Sequence, residues 1–167
     1  MVRLRAVTEV DVAALVLIRS ADAVAARWGA TDIEDSVREG IEDPDVEVLV
    51  IEHEGAAVGS IQWAEEEDPD YAHASVDIFL DPSVHGRGLG TDSIRTLVRH
   101  LFDDRGHHRI TIDPAADNHD AIRCYERVGF RRVGIMRRYE RIDDGEFHDA
   151  LLMDLLAEEF DPGREEG

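Results

Sequence analysis

Short apolar runs and apolar stripes alternate along the chain. From Val2 to Val7, apolar residues alternate with Arg3 and Arg5, which predicts a first strand. Thr8-Glu9-Val10-Asp11 then offers an N-cap with an acid at its third position, close to a capping box. Val10, Ala13, Ala14 and Ile18 predict the apolar face of the helix that follows. Thr31-Asp32-Ile33-Glu34 is a fuller capping box and opens a second helix ending near Gly40. Between these helices, Ala21 to Ala30 reads as a mobile connection that contains Trp28. Val46 to Glu52 and Ala57 to Ala64 flank Glu54-Gly55 and predict a β-hairpin. The run Glu65-Glu66-Glu67-Asp68-Pro69-Asp70 reads as a solvated loop, or as an electrostatic lip for a polycation.

The pattern sharpens between Val76 and Phe130. An apolar run, Ala74 to Leu80, leads into His85-Gly86-Arg87-Gly88-Leu89-Gly90, and then Ile94, Leu97, Val98, Leu101 and Phe102 recur at helical spacing. The glycines therefore lie at a helix N-terminus, where free N–H groups and the dipole favour an anion such as a pyrophosphate. Thr91 follows within the first turn, and Arg87 offers further positive charge. The loop matches neither a Walker A sequence, which needs a lysine, nor the final spacing of a dinucleotide fingerprint. On its own it is equally a turn between strand and helix.

Alternation sets Ser75, Asp77 and Phe79 on one strand face, opposite Val76, Ile78 and Leu80. A strand from His108 to Asp113 sets Arg109, Thr111 and Asp113 on one face. A parallel crossover through the intervening helix lets Asp77 and Asp113 face the same side. These are two solvated carboxylates or, placed near strand C-termini of an α/β sheet, substrate-binding groups. Asn118 reads as an N-cap, Ala121, Ile122, Tyr125 and Val128 as a helix face, and Gly129 as its end. By spacing alone Tyr125 is a core residue and Cys124 a small packed one. Phe130 to Tyr139 and Asp149 to Leu156 predict a final strand pair joined through Asp143-Asp144-Gly145. The charged tail from Ala157 to Gly167 is expected to fray, chiefly over residues 158–167.

Composition narrows the function. A chain of 167 residues suits one domain spanning residues 1–167. A formal net charge of −20 disfavours nucleic acid and anionic membranes and attracts cations. A single cysteine excludes an internal disulfide, and no Cys/His cluster has zinc spacing, so no metal is expected. No apolar run is long enough to span a bilayer, and Met1 to Arg5 do not read as a signal peptide, so a cytoplasmic protein is expected.

The loop His85-x-x-Gly88-x-Gly90, followed by Asn118-x-x-Ala121-Ile122-x-x-Tyr125-x-x-x-Gly129-Phe130, resembles the GNAT superfamily of acetyl-CoA-dependent N-acetyltransferases. His85 stands where that family commonly has Gln or Arg. With Gly88-Leu89-Gly90-Thr91, Asp113-Pro114 and Ala121 to Glu126, the chain looks like the aminoglycoside 6′-N-acetyltransferases within that group. The resemblance implies a single α/β domain with a mixed, mostly antiparallel sheet of six to seven strands, flanking helices and a splayed parallel pair at the acetyl-CoA site. It implies that Phe79, Leu80, His85, Gly86, Arg87, Gly88, Leu89, Gly90, Thr91, Asn118, Ala121 and Tyr125 bind acetyl-CoA. It assigns Asp77, Asp113 and Asp144 to a cationic amine substrate, Asp113 to the general base and Tyr125 to protonation of the departing thiolate. It also implies that Ala21 to Ala30 walls the acceptor site. The implied acceptor is an aminoglycoside, with a polyamine or a protein amine as the alternatives, and the implied assembly a monomer or homodimer.

Overall fold

The computed structural model describes residues 1–163; the end of the tail expected to fray, residues 164–167, lies outside the described residues. Seven strands form one sheet in the order β1-β2-β3-β4-β5-β7-β6. They are β1 (Arg3–Ala6), β2 (Val46–His53), β3 (Ala56–Glu66), β4 (His73–Leu80), β5 (Arg109–Ile112), β6 (Arg131–Arg141) and β7 (Phe147–Leu156). Every pairing is antiparallel except β4 with β5. The predicted hairpin is present: Glu54 and Gly55 both take positive φ, at 51° and 81°, as a tight two-residue turn requires.

Helices cover both faces. Helices α1 (Val12–Arg19) and α3 (Ile33–Glu42) pack one core, in which Val12, Leu15, Val37 and Val50 are buried. Helices α4 (Leu89–Asp103) and α5 (His119–Val128) pack the larger one, with Ile94, Leu97, Val98 and Leu101 as the stripe read from sequence. Alternation along β4 sends Phe79 to the first core and Ile78 and Leu80 to the second. Among the described residues, no helix is long and apolar enough to cross a membrane.

Several local expectations are corrected. A 3-10 turn at Glu9–Asp11 precedes α1 and rotates its phase, so Val12, Leu15 and Ile18 are buried while Val10 is exposed. Asp32, in a left-handed conformation with no side-chain cap, precedes α3, which runs on to Glu42. Residues expected to be mobile form helix α2 (Asp22–Trp28), an alanine-rich segment closed by Gly29 at φ 88°. Packing continues past Leu156: residues Ala157–Glu159 form a 3-10 turn and Phe160 packs on Phe102 at 5.6 Å. The acidic loop after Glu66 lies at the start of β4, and Glu65 is held by Arg105 and His107. A strand of that length, at roughly 3.3 Å per residue, keeps it far from the Leu80 end, which favours the solvated-loop reading.

A part-buried ion pair fixes the entry into α1. Arg5 donates from Nη1 and Nη2 to the two oxygens of Asp11, each at 2.8 Å, and Asp11 also accepts from the Thr8 amide and hydroxyl. The Arg5 bonds hold the Asp11 carboxyl far below the usual carboxylate range. Its contribution is therefore complete above the ordinary aspartate range and is lost as pH falls through the depressed folded value. Asp11→Asn should cost about 2 kcal/mol at neutral pH, the scale of a charge-assisted hydrogen bond, because Arg5 keeps access to solvent and to Glu52. Denaturant melts should show that gap narrowing in strong acid.

Candidate active site

The site opens where β4 and β5 separate. Their parallel pairing is confined to Ala74 with Ile110 and Ser75 with Thr111. On its other side β4 stays paired with β3 as far as Leu80. Beyond Ser75, the β5-facing edge of β4 thus has no strand partner, and its backbone groups are free to bond an extended ligand.

A cleft of about 690 Å³ occupies the split. Its floor is the N-terminus of α4. Gly86 and Gly88 take φ of 73° and 76°, and Gly88 is the N-cap, so the first amides of α4 point outward without a side-chain cap. Gly90 is needed for space: a Cβ there would lie 3.3 Å from Leu80 Cδ1 and 3.4 Å from Cys124 Sγ. Leu89 and Thr91 complete that wall, and Phe79, Leu80 and His85 line the β4 side. His85 Nε2 also lies 3.2 Å from the Leu80 carbonyl, tying the loop to the strand end. Asn118, Ala121 and Tyr125 line the α5 side, and Asn118 caps that helix by accepting from the Ala121 amide. Arg87 does not line the cleft; it reaches His53 on β2 at 3.2 Å. Cationic lining comes instead from Arg27, Arg123 and Arg127, which sequence reading did not single out. Arg27 pairs with Asp117, linking α2 to the segment before α5.

The acids meet at the split. Asp77 is exposed to solvent, yet neighbouring elements crowd around its carboxyl and thin its hydration. That desolvation pushes it up to about 7, helped by Asp113 and Glu140 and opposed by the Ile78 amide and Arg19. Asp113, half-buried just past β5, is also raised by burial, with a hydrogen bond from the Tyr139 hydroxyl acting the other way. Glu140 is raised by burial and by Asp113. Tyr125 is buried, and loss of water, then the charge on Asp77, holds its hydroxyl well above the ordinary tyrosine range. It is therefore a protonated donor at neutral pH. Asp144 does not join this group: it accepts from the Glu146 amide and meets His148 Nε2 at 2.7 Å, stabilising the β6–β7 turn. Its neighbour Asp143 reaches the α2–α3 connection instead, accepting from the Ala30 and Thr31 amides. Glu140 and Tyr139 carry no local signal in the sequence, because β6 brings them in from the far edge of the sheet, and Asp143 is legible only as part of the turn that follows.

A mixed sheet split between two parallel strands, with a helix N-terminus under the split, is the architecture of an N-acetyltransferase. The acetyltransferase (GNAT) family model matches residues 16–130, and the chain belongs to that family. Over 72 residues the chain is 43% identical to an aminoglycoside N(6')-acetyltransferase type 1 of Klebsiella pneumoniae, a match covering 43% of this chain and 35% of that protein. The chain thus spans about a third of that relative's length. It is 36% identical over 74 residues to the N-alpha-acetyltransferase RimI of Mycobacterium tuberculosis, covering 44% of each. The solved structure of aminoglycoside acetyltransferase AAC(6')-Ib with coenzyme A and kanamycin superposes with a TM-score of 0.81 at 29% identity, covering 99% of this chain and 100% of that one.

The coupling within the acid cluster is directly measurable. Carbon-detected carboxyl titrations should place the Asp77 midpoint near 7. In Asp113→Asn the midpoint should fall, since removing a neighbouring negative charge favours ionisation. An unchanged midpoint would separate the two acids.

Proposed function

We propose that this chain transfers the acetyl group of acetyl-CoA to a primary amine of a cationic small molecule, an aminoglycoside first among them, within a ternary complex. The observation that carries this reading is the union, at one strand split, of an open helix N-terminus, a buried tyrosine and an acid cluster. The similarity to aminoglycoside acetyltransferases supports the choice of acceptor.

In this mechanism the pyrophosphate of acetyl-CoA lies on the amides from Gly86 to Thr91, where helix-terminal N–H groups and the dipole favour an anion. The pantetheine arm extends along the open edge of β4 and bonds its free backbone groups. The acceptor arrives as an ammonium, drawn by Asp77, Asp113 and Glu140. Asp77 suits the base role better than Asp113: a midpoint near 7 leaves a large carboxylate fraction at neutral pH that is basic enough to accept a proton. Asp113, whose carboxylate is engaged by Tyr139, anchors a second cationic or hydroxyl group. The freed amine nitrogen attacks the thioester carbonyl, and a backbone N–H at Phe79 or Leu80 stabilises the oxyanion. The C–S bond breaks, the thiolate takes the Tyr125 proton, and the second proton shed by the acylated nitrogen restores the tyrosine hydroxyl, leaving the amide, free CoA thiol and protonated Asp77. No step requires a metal.

The similarity to RimI favours a second reading, a protein α-amine as acceptor. A thiol-release assay over aminoglycosides, polyamines and basic peptides separates the two. The small-molecule reading expects turnover of aminoglycosides, with a KM that rises with salt because exposed charges about 10 Å apart are screened near 0.1 M. Turnover of basic peptides alone would replace it with the protein-acetylating one. All 18 basic residues are arginine, so self-acetylation on lysine gives no background.

Two variants test the machinery. Tyr125→Phe should lower kcat on the order of 10²–10⁴-fold, the usual scale of general acid help, and leave acetyl-CoA binding intact. Gly88→Val places a branched side chain at φ 76° beside the exposed amides and should abolish the thermal stabilisation given by acetyl-CoA. Full stabilisation of a folded Gly88→Val protein would remove the loop from the cofactor site. In the wild type, kcat/KM should fall as pH drops through about 7, because protonated Asp77 cannot accept a proton.

A further inference from the structure

Arg19 closes α1 and is only 4% exposed. Its Nη2 donates to the Trp28 carbonyl at 2.7 Å and the Gly29 carbonyl at 3.4 Å, while its buried Nε has no hydrogen-bond partner. The guanidinium lies 5.2 Å from the centroid of the Trp28 ring and 5.8 Å from that of Phe79. Those rings meet edge to face at 5.1 Å and both line the cleft. A buried guanidinium is costly unless a carboxylate answers it. The carboxylates that Arg19 feels, Asp77 and Asp143, act on it through space.

Asp143 grips the same segment from the opposite side. It accepts from the Ala30 and Thr31 amides, and Gly29 leaves no slack: a Cβ there would sit 3.1 Å from Asp143 Oδ2, at φ +88°. The carbonyls of Trp28 and Gly29 are thus held by a cation, and the amides of Ala30 and Thr31 by an anion. The charged environment of Asp77 comes from several elements. Its own strand supplies the Ile78 amide, Asp113 follows β5, Glu140 lies on β6, and Tyr125 on α5 faces it. The positive charge of Arg19, from α1, opposes these acids at Asp77.

We propose that Arg19 is a positioning residue of the acceptor site: it seats the Trp28 wall against Phe79 and, from behind that wall, sets a positive charge beside the strand face that Phe79 shares with Asp77, favouring the carboxylate form of that acid. The inference rests on the proton-accepting role of Asp77 proposed above. Asp143 shares the grip on the wall but not the charge balance at Asp77, so the two residues separate geometry from electrostatics.

The test is a carboxyl titration by carbon-detected NMR of the unliganded protein, with the Asp77 signal assigned through Asp77→Asn. Arg19→Met and Arg19→Gln should shift the Asp77 midpoint upward, and Arg19→Lys, which keeps the charge, should hold it at the wild-type value. Asp143→Asn should leave the midpoint in place and raise the acceptor KM. Methionine is included because its long, flexible, apolar side chain can fill the buried space that the charge leaves. An unmoved midpoint in a folded Arg19→Met protein overturns the proposal. So does a midpoint in Arg19→Lys raised as far as in Arg19→Met, since lost geometry would then explain the shift. Neither acetyl-CoA nor an acceptor is needed for this measurement. A shifted midpoint in a protein that acetylates no amine would uphold the hold of Arg19 on Asp77 and overturn the acetyl-transfer reading alone. In an active enzyme, the acid limb of kcat/KM should move upward with the titration.

Discussion

The site depends on the failure of two parallel strands to stay together. Backbone hydrogen bonds are obligatory groups, and an unpaired strand edge is ordinarily covered, charged or cut short. Here β4 and β5 share two residue pairs and then diverge, leaving the last part of β4 paired on one side only. The split is held open by what stands at its ends. Helix α4 begins beneath it, because the glycines allow the chain to leave β4 and turn directly into a helix. Helix α5 packs against α4 and carries Tyr125 into the gap. One departure from regular pairing thus creates a cleft, a free backbone edge and an exposed helix N-terminus.

The same separation shapes the chemistry of the acids. In a continuous sheet, Asp77 and Asp113 would stand as neighbours over an open surface. Here neighbouring elements crowd them without closing them off from solvent, and their proximity raises the cost of ionising both. Burial of Tyr125 acts in the same direction on a much weaker acid, so its proton is held far above neutrality. A proton acceptor near neutrality and a proton donor far above it can therefore coexist in one cleft, a pairing suited to moving a proton in and another out. The acidity of the whole chain adds attraction for cations but does not tune these groups; local desolvation does.

Arginine works at three depths in this fold. At the surface Arg27 joins α2 to the segment before α5. Between strand and helix, Arg5 is forked onto Asp11 and fixes where α1 begins. Behind the aromatic wall, Arg19 has carbonyls and ring faces rather than a carboxylate in contact. The deeper the cation, the less it serves as a simple ion pair and the more its long-range field matters, since screening by water falls with burial.

The sequence alone determined whatever is decided within a few residues. The hairpin at Glu54-Gly55, the glycine loop with its helix stripe, and the Asn118 cap with its Gly129 stop were all legible, because turn and cap chemistry is local. The likeness of the glycine loop and the Tyr125 helix to a known family carried the fold further than periodicity could. Tertiary structure decided the rest. The phase of α1 shifted because a 3-10 turn, held by Arg5 and Asp11, precedes it. Helix α2 was hidden because its alanines carry little amphipathic signal, and its place is set by Trp28 docking on Phe79 and Arg19. Arg87 turned to His53, and Asp144 turned to His148, because partners distant in sequence or across a turn were nearer than the cleft. Glu140, Tyr139 and Arg19 could not be read at all. A charge acquires its influence on Asp77 from distance and desolvation, and both exist only once β4, β6 and α1 have been brought together.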